Sequence, residues 1–219
     1  AAARDGFILL RDEAAAAERF GWCLRDVEAA ALEGGLMPER YRRNGSTISP
    51  AQQRRLLSSC VAVVGCGGLG GYVIEELARL GVGAIRAIDP DVFEEHNLNR
   101  QILCTTVTLG LPKAQAAARR VVEINPLSEV TVFQTALSAS NAQELLRGVE
   151  VAVDGLDSIG GRMALAAACA ELEIPLVHGS IAGWYGQVVT QFPGDGVIER
   201  LYGNAKEDRD GESRHDDAE

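Results

Sequence analysis

The chain has little of what marks several large protein classes. Its five cysteines (Cys23, Cys60, Cys66, Cys104 and Cys169) are scattered, odd in number and include no Cys-x-x-Cys pair. That pattern argues against a disulfide scaffold or zinc knuckle and points to a reducing, cytoplasmic setting. The histidines His96, His178 and His215 show no ligand spacing and no paired nucleophile, so no role follows for them. No apolar run reaches the roughly 20 residues that a bilayer requires, and no charged-then-apolar segment opens the chain. No membrane association is expected. Basic charge is also scarce. With 21 Lys and Arg against 31 Asp and Glu, the formal net charge is −10, the opposite of a basic nucleic-acid footprint.

What is present suits an ordinary soluble protein, 47% apolar and 24% charged over 219 residues. That length holds one sizeable domain plus an appendage. Much of the acidic excess lies in residues 206–219, where seven acids face three bases, and this run reads as a solvated loop. The start at Ala1 and the end at Glu219 suggest a piece of a longer chain.

Residues 12–32 read as one helix, with Asp12 as its cap, Phe20, Leu24, Val27 and Ala31 on one face, and Gly34-Gly35 ending it. This N-terminal helical extension, residues 1–38, could be a lid or dimer arm without chemistry of its own. After Arg40-Tyr41-Arg42-Arg43 comes a helix over 50–57. From residue 60 strands and helices alternate. Strands are expected at 60–64, 84–88, 130–133, 149–153 and 176–178, with helices at 69–80, 111–124, 141–146 and 161–172. Such alternation implies a parallel sheet with right-handed crossovers. Residues 187–192 alternate without an intervening helix and read as an antiparallel extension.

Residues 61–113 carry the chemistry. The apolar strand runs into Gly65-Cys66-Gly67-Gly68-Leu69-Gly70, a turn whose glycines allow sharp bending and close backbone approach. The helix after it aims free N–H groups and a positive dipole end at the turn, which makes an anion site. Asp89 ends the next strand, where a carboxylate can accept from ribose hydroxyls. This much fits a dehydrogenase as well as an ATP enzyme. The cluster Asn97-Leu98-Asn99-Arg100-Gln101 and then Lys113 separates them. An acidic protein must supply local cations for a triphosphate, Arg as a planar fork and Lys as a point charge, while Asn97 donates from its amide. Asp154 and Asp157 follow the strand at 149–153, at the sheet edge where ligands bind. Asp157 could hold Mg²⁺ or cap the next helix. Asp154 reads as a supporting acid.

These motifs together resemble the family of MoeB, ThiF, HesA and the ubiquitin-activating enzymes. The match also includes Asp89-Pro90-Asp91, Pro112-Lys113, Ile124-Asn125-Pro126 and Gly186-Gln187, and it covers roughly 70% of the chain, from Arg40 to Phe192. The resemblance implies a Rossmann-like, doubly wound α/β fold over residues 39–219, and more sheet and helix beyond Glu219. It implies ATP and Mg²⁺ as ligands. Asp89 would hold the ribose, Asn97, Arg100 and Lys113 the phosphates, and Asp157 the Mg²⁺, with Gly65, Gly67, Gly68, Leu69, Gly70, Asp91 and Gln101 also at the nucleotide. Arg43, rather than Arg42, would enter the active site of the second subunit of a homodimer. The implied reaction is adenylation of the C-terminal carboxylate of a ubiquitin-like sulfur-carrier protein.

The chain departs from many bacterial relatives after Phe192, where the first Cys-x-x-Cys zinc pair is absent, so no zinc is expected. Residues 203–219 contain no cysteine to support a thioester or persulfide step. Cys66 and Cys169 read as packing residues. Three other readings remain: a tRNA threonylcarbamoyladenosine dehydratase-like adenylating enzyme, an NAD(P)-dependent oxidoreductase, and a non-catalytic half of a heterodimer. Arg100 and Lys113 argue against the oxidoreductase, and the acidic charge argues against tRNA.

Overall fold

The computed structural model describes residues 5–203, so the acidic run at 206–219 lies outside the described residues. The chain begins with a short strand β1 (Phe7–Ile8) and two helices, α1 (Leu10–Phe20) and α2 (Leu24–Glu33). The single helix expected over 12–32 is thus two. Gly21 adopts a left-handed conformation (φ 67°) and donates back to the Ala17 carbonyl, ending α1 as a C-cap glycine does. Leu9 occupies the N-cap, and Asp12 sits in the first turn near the positive dipole end. Strand β2 (Met37–Pro38) pairs in parallel with β1 and leads into a six-residue 3₁₀ turn, Glu39–Asn44. Helix α3 (Pro50–Ser58) opens with a capping box between Ser49 and Gln52 and with Pro50 in its first turn.

The sheet then forms from β3 (Cys60–Val64), β4 (Ala84–Ile88), β5 (Glu129–Phe133), β6 (Val151–Asp154), β7 (Leu176–Ala182) and β8 (Tyr185–Gln191). Its spatial order is β5-β4-β3-β6-β7-β8, all parallel except the last pair. The expected fold class and the antiparallel extension are both present. Helices α4 (Gly70–Leu80), α5 (Lys113–Ile124), α6 (Ala142–Leu146) and α7 (Ile159–Glu171) connect the strands, and α8 (Val197–Tyr202) follows β8.

Alternation along β3 divides the interior. Val61 and Val63 pack with Ile74, Ala78, Ala117 and Val121 on the α4–α5 side. Ala62 and Val64 pack with Leu146, Leu165, Cys169 and Ile198 on the α6–α8 side. A strand buried on both faces reads as a continuous apolar run, which is why β3 was plain in the sequence. A smaller cluster of Leu32, Met37, Tyr41, Leu57 and Leu127 joins the N-terminal segment to the sheet domain. Arg25 on α2 reinforces it by donating to the Leu57 and Gly83 carbonyls (2.7 and 3.2 Å).

The chain order runs from β3 outward to β5 and then returns to the other side of β3 at β6. Neighbouring crossovers therefore diverge between β3 and β6, and open α/β sheets bind ligands at the carboxyl ends of strands at such a point. No helix among the described residues is long and apolar enough to cross a membrane.

Candidate nucleotide-binding cavity

A cavity of about 780 Å³ opens at that divergence. Its floor is the turn after β3. Gly65 has φ +90°, and a Cβ there would sit 2.6 Å from the Gly155 carbonyl oxygen of the loop after β6. A Cβ on Gly70 would overlap the Gly65 carbonyl itself. The two glycines let the β3 and β6 loops touch backbone to backbone, leaving the start of α4 clear to face the cavity.

Asp89 follows β4 and is 4% exposed. Its Oδ2 accepts from the Cys66 N–H (2.7 Å) and its Oδ1 from the Asp91 N–H (2.8 Å). Burial pushes the Asp89 carboxyl above the usual aspartate range, against the pull of those N–H donors and of the Lys113 ammonium. Lys113 begins α5, and its Nζ meets Asp91 Oδ2 at 2.9 Å beside the cavity. Gln101 is buried against Gly67, and its Oε1 has no hydrogen-bond partner among the described residues.

Arg100 lines the cavity but is exposed, and among the described residues it donates only within its own loop, to the His96 carbonyl and Asn99 Oδ1. Asp157 is also an exposed lining residue. Ser158, not Asp157, caps α7 by accepting from the Gly161 N–H (3.3 Å), which leaves the Asp157 carboxylate without a hydrogen bond or ion pair among the described residues. Gly67, Gly68, Leu69 and Asp91 line the same space.

Three expected residues lie elsewhere. Gly70 is buried beneath the turn against the Gly65 carbonyl and does not line the cavity. Asn97 is buried away from the cavity lining, and its Oδ1 accepts from the Glu94 N–H (2.9 Å), so its carbonyl end braces the loop that presents Arg100. Arg43 is exposed, has no ion pair among the described residues and does not line its own chain's cavity. Arg42, in contrast, is held by Glu39 (2.8 Å) and stacks 4.1 Å over the Phe7 ring.

Sequence reasoning missed Arg162 and His178. Arg162 on α7 lines the cavity, donates to the Leu156 carbonyl (2.8 Å) and stacks over Tyr202. Its position early in the helix after Asp157 was the only available signal. Asp154, fully buried, accepts from the Leu156 N–H and pairs with His178 Nδ1 (2.7 Å). The second His178 nitrogen meets the Tyr202 hydroxyl (2.9 Å), to which Gln187 also donates. A chain of polar groups thus runs from the buried Asp154 and His178 behind the cavity wall out to the exposed Gln187. Cys66 lies buried in the turn, where burial and the Asp89 charge push its thiol pKa up, so it stays protonated.

Fold and site define a doubly wound α/β domain with a ligand cavity at its switch point, lined by apolar surface and by charges of both signs. The chain belongs to the ThiF family, whose model matches residues 41–216. It is 39% identical over 171 residues to the SAMP-activating enzyme E1 of Haloferax volcanii, covering 77% of this chain and 63% of that protein. It is 39% identical over 152 residues to the sulfur carrier protein adenylyltransferase of Thermus thermophilus, covering 68% and 56%. Among solved structures it resembles the E. coli tRNA N6-threonylcarbamoyladenosine dehydratase TcdA in complex with ATP, with a TM-score of 0.64 and 34% identity over 67% of this chain and 61% of that one. The chain spans less than two thirds of the length of each of these relatives.

Proposed function

We propose that this chain is an ATP-dependent adenylyltransferase for the C-terminal glycine carboxylate of a ubiquitin-like sulfur-carrier protein, in molybdopterin- or thiamine-type cofactor assembly. The observation that carries this reading is the gathering of the glycine turn, Asp89, Arg100, Gln101, Lys113 and Asp157 around one cavity. The sulfur carrier protein adenylyltransferase of Thermus thermophilus supports the same reading by its name. The ATP-bound TcdA structure supports ATP as the nucleotide.

In this proposal the carrier carboxylate is already ionised near neutral pH, so the protein need not supply a general base. One carboxylate oxygen bonds to the α-phosphorus while the bond to the oxygen bridging the β-phosphate breaks. Pyrophosphate leaves with that electron pair, and the acyl-adenylate remains. Asp89 accepts from the ribose, the turn and the start of α4 face the phosphates, and Arg100 and Lys113 offset the charge that builds on phosphate oxygens. Asp157 would hold Mg²⁺. A single free carboxylate suits an ion that keeps most of its waters and shares phosphate oxygens, whereas Asp154 already has both oxygens engaged. When bound, the ion supplies further charge neutralisation at the phosphates. Arg43 completes the cavity of the second subunit of a homodimer, and the protein works in the cytoplasm.

The test is ATP–pyrophosphate exchange with a panel of carrier proteins ending in Gly-Gly and, separately, with tRNA. Exchange stimulated by a carrier is expected. Stimulation by tRNA alone would replace the reading with the dehydratase-like one, which the similarity to TcdA favours and the net charge of −10 opposes.

A further inference from the structure

The N-terminal helices converge on the segment that carries Arg43. Glu13 on α1 and Glu28 on α2 are both fully buried, and both reach Arg40 in the first turn of Glu39–Asn44. Arg40 Nη1 donates to Glu13 Oε2 (2.8 Å), and Nη2 pairs with Glu28 Oε2. One guanidinium fork is thereby gripped by two helices at once. The Arg40 guanidinium stacks 4.9 Å from the ring centre of Tyr41, whose hydroxyl accepts from Asn125 Nδ2 (2.9 Å). Arg42 is fixed by Glu39 and Phe7, and the Met37 N–H donates to the Gly6 carbonyl (3.0 Å). Arg40, Tyr41 and Arg42, which precede Arg43 in this turn, are therefore anchored, while Arg43 is exposed and has no ion pair among the described residues.

Burying two carboxylates against one cation can cost more in desolvation than the ion pairs return, and well-packed apolar residues often serve as well. Burial pushes the Glu13 carboxyl above its usual range, with Arg40 opposing the shift. A fork held on two prongs fixes direction, which apolar packing does not. We infer that Glu13 and Glu28 are positioning residues: through Arg40 they set the angle at which the turn projects Arg43. This rests on the reading of Arg43 as a residue that acts in the second subunit.

The experiment compares the double variant Glu13→Gln/Glu28→Gln with wild type in exchange stimulated by a Gly-Gly-ended carrier. Misplacing a catalytic group by about 1 Å can cost on the order of 100-fold, so a fall of about 10- to 100-fold in kcat is expected, with the KM for ATP unchanged. The defect should lie in the donating subunit. Mixing the double variant with Lys113→Ala should restore about one working site per mixed dimer, because the double variant keeps an intact cavity and Lys113→Ala keeps a well-placed Arg43. Wild-type kcat overturns the inference. So does a loss that mixing leaves unrepaired while the control mixture of Arg43→Ala with Lys113→Ala recovers; that result removes the clamp and leaves the function standing. Full activity of Arg43→Ala removes the second-subunit role of Arg43 and the clamp with it. If the double variant loses its thermal unfolding transition, Arg40→Lys, which keeps the charge but not the fork, carries the same readouts.

Discussion

The side chains that line the cavity fall into an ordered set and an open set. In the ordered set, Asp89 is buried with both oxygens accepting from backbone N–H groups, and Lys113 is buried with its ammonium on Asp91. In the open set, Arg100 and Asp157 are exposed, and Asp157 has no partner among the described residues. The ordered set is paid for by folding, so a ligand meets it ready-made. The open set keeps charge available for a ligand that brings its own. Under the proposed chemistry, Asp89 meets the ribose, and Lys113 from the ordered set joins Arg100 and Asp157 of the open set at the phosphates.

The contrast breaks most readily in the open set. Arg100→Ala is expected to lower carrier-stimulated exchange by about 10²–10³, worth roughly 2.7–4 kcal/mol, while thermal melting stays within about 0.5 kcal/mol of wild type, as at an exposed site. A large loss of stability with little loss of rate would reverse the assignment of the two sets.

Gly65→Ala probes the ordered set, through the turn whose Cys66 N–H holds Asp89. Its positive φ and the nearby Gly155 carbonyl leave no room for a methyl group, so a stability loss of about 1–3 kcal/mol is expected in urea melts, together with weaker ATP binding. A variant as stable as wild type would mean that the β3 and β6 loops do not need their backbone contact.

The smallest effect sharpens the comparison through pH. Asp89→Asn should weaken ATP binding about tenfold, or 1.4 kcal/mol, in calorimetry. Because burial raises the Asp89 pKa in the folded protein, its contribution to stability is full below the ordinary aspartate range and is lost as pH rises through the raised value. ATP affinity runs the other way. It strengthens over the same window as the carboxylate forms to accept from the ribose, and the Asn variant should lack that slope. An identical slope in both proteins would place the titrating group elsewhere.

The ordered set was the more legible in the sequence, because its signals are local. Apolar runs bounded by glycine marked β3 and β4, and the spacing from the turn to Asp89 spoke for itself. The polar cluster drew attention to Arg100 and Lys113, yet pattern alone did not show that Asn97 is buried outside the cavity lining with its carbonyl end on the Glu94 N–H. Arg162 offered only its place early in the helix after Asp157, and His178 offered nothing, since Tyr202 and Asp154, which they meet, are brought to them only when the sheet closes. The break at Gly21 was masked by helix-favouring alanines on one side and by Leu24, Val27 and Ala31 continuing the same periodicity on the other. Helix α8 is a single short element opened by Gly196 in a left-handed conformation, too brief to show a helical period.

The contact between Gly65 and Gly155 also bears on the order of assembly. The turn is made early by the ribosome, but the loop that seats against it emerges only after β4, α5 and β5 have passed. Tyr202, which closes the polar chain behind that loop, comes later still. Long-range closures of this kind are slow because chain entropy is lost before the contacts form. A nascent chain can therefore hold half a sheet before it holds a cavity, and competence to bind ligand arrives as a late event in folding.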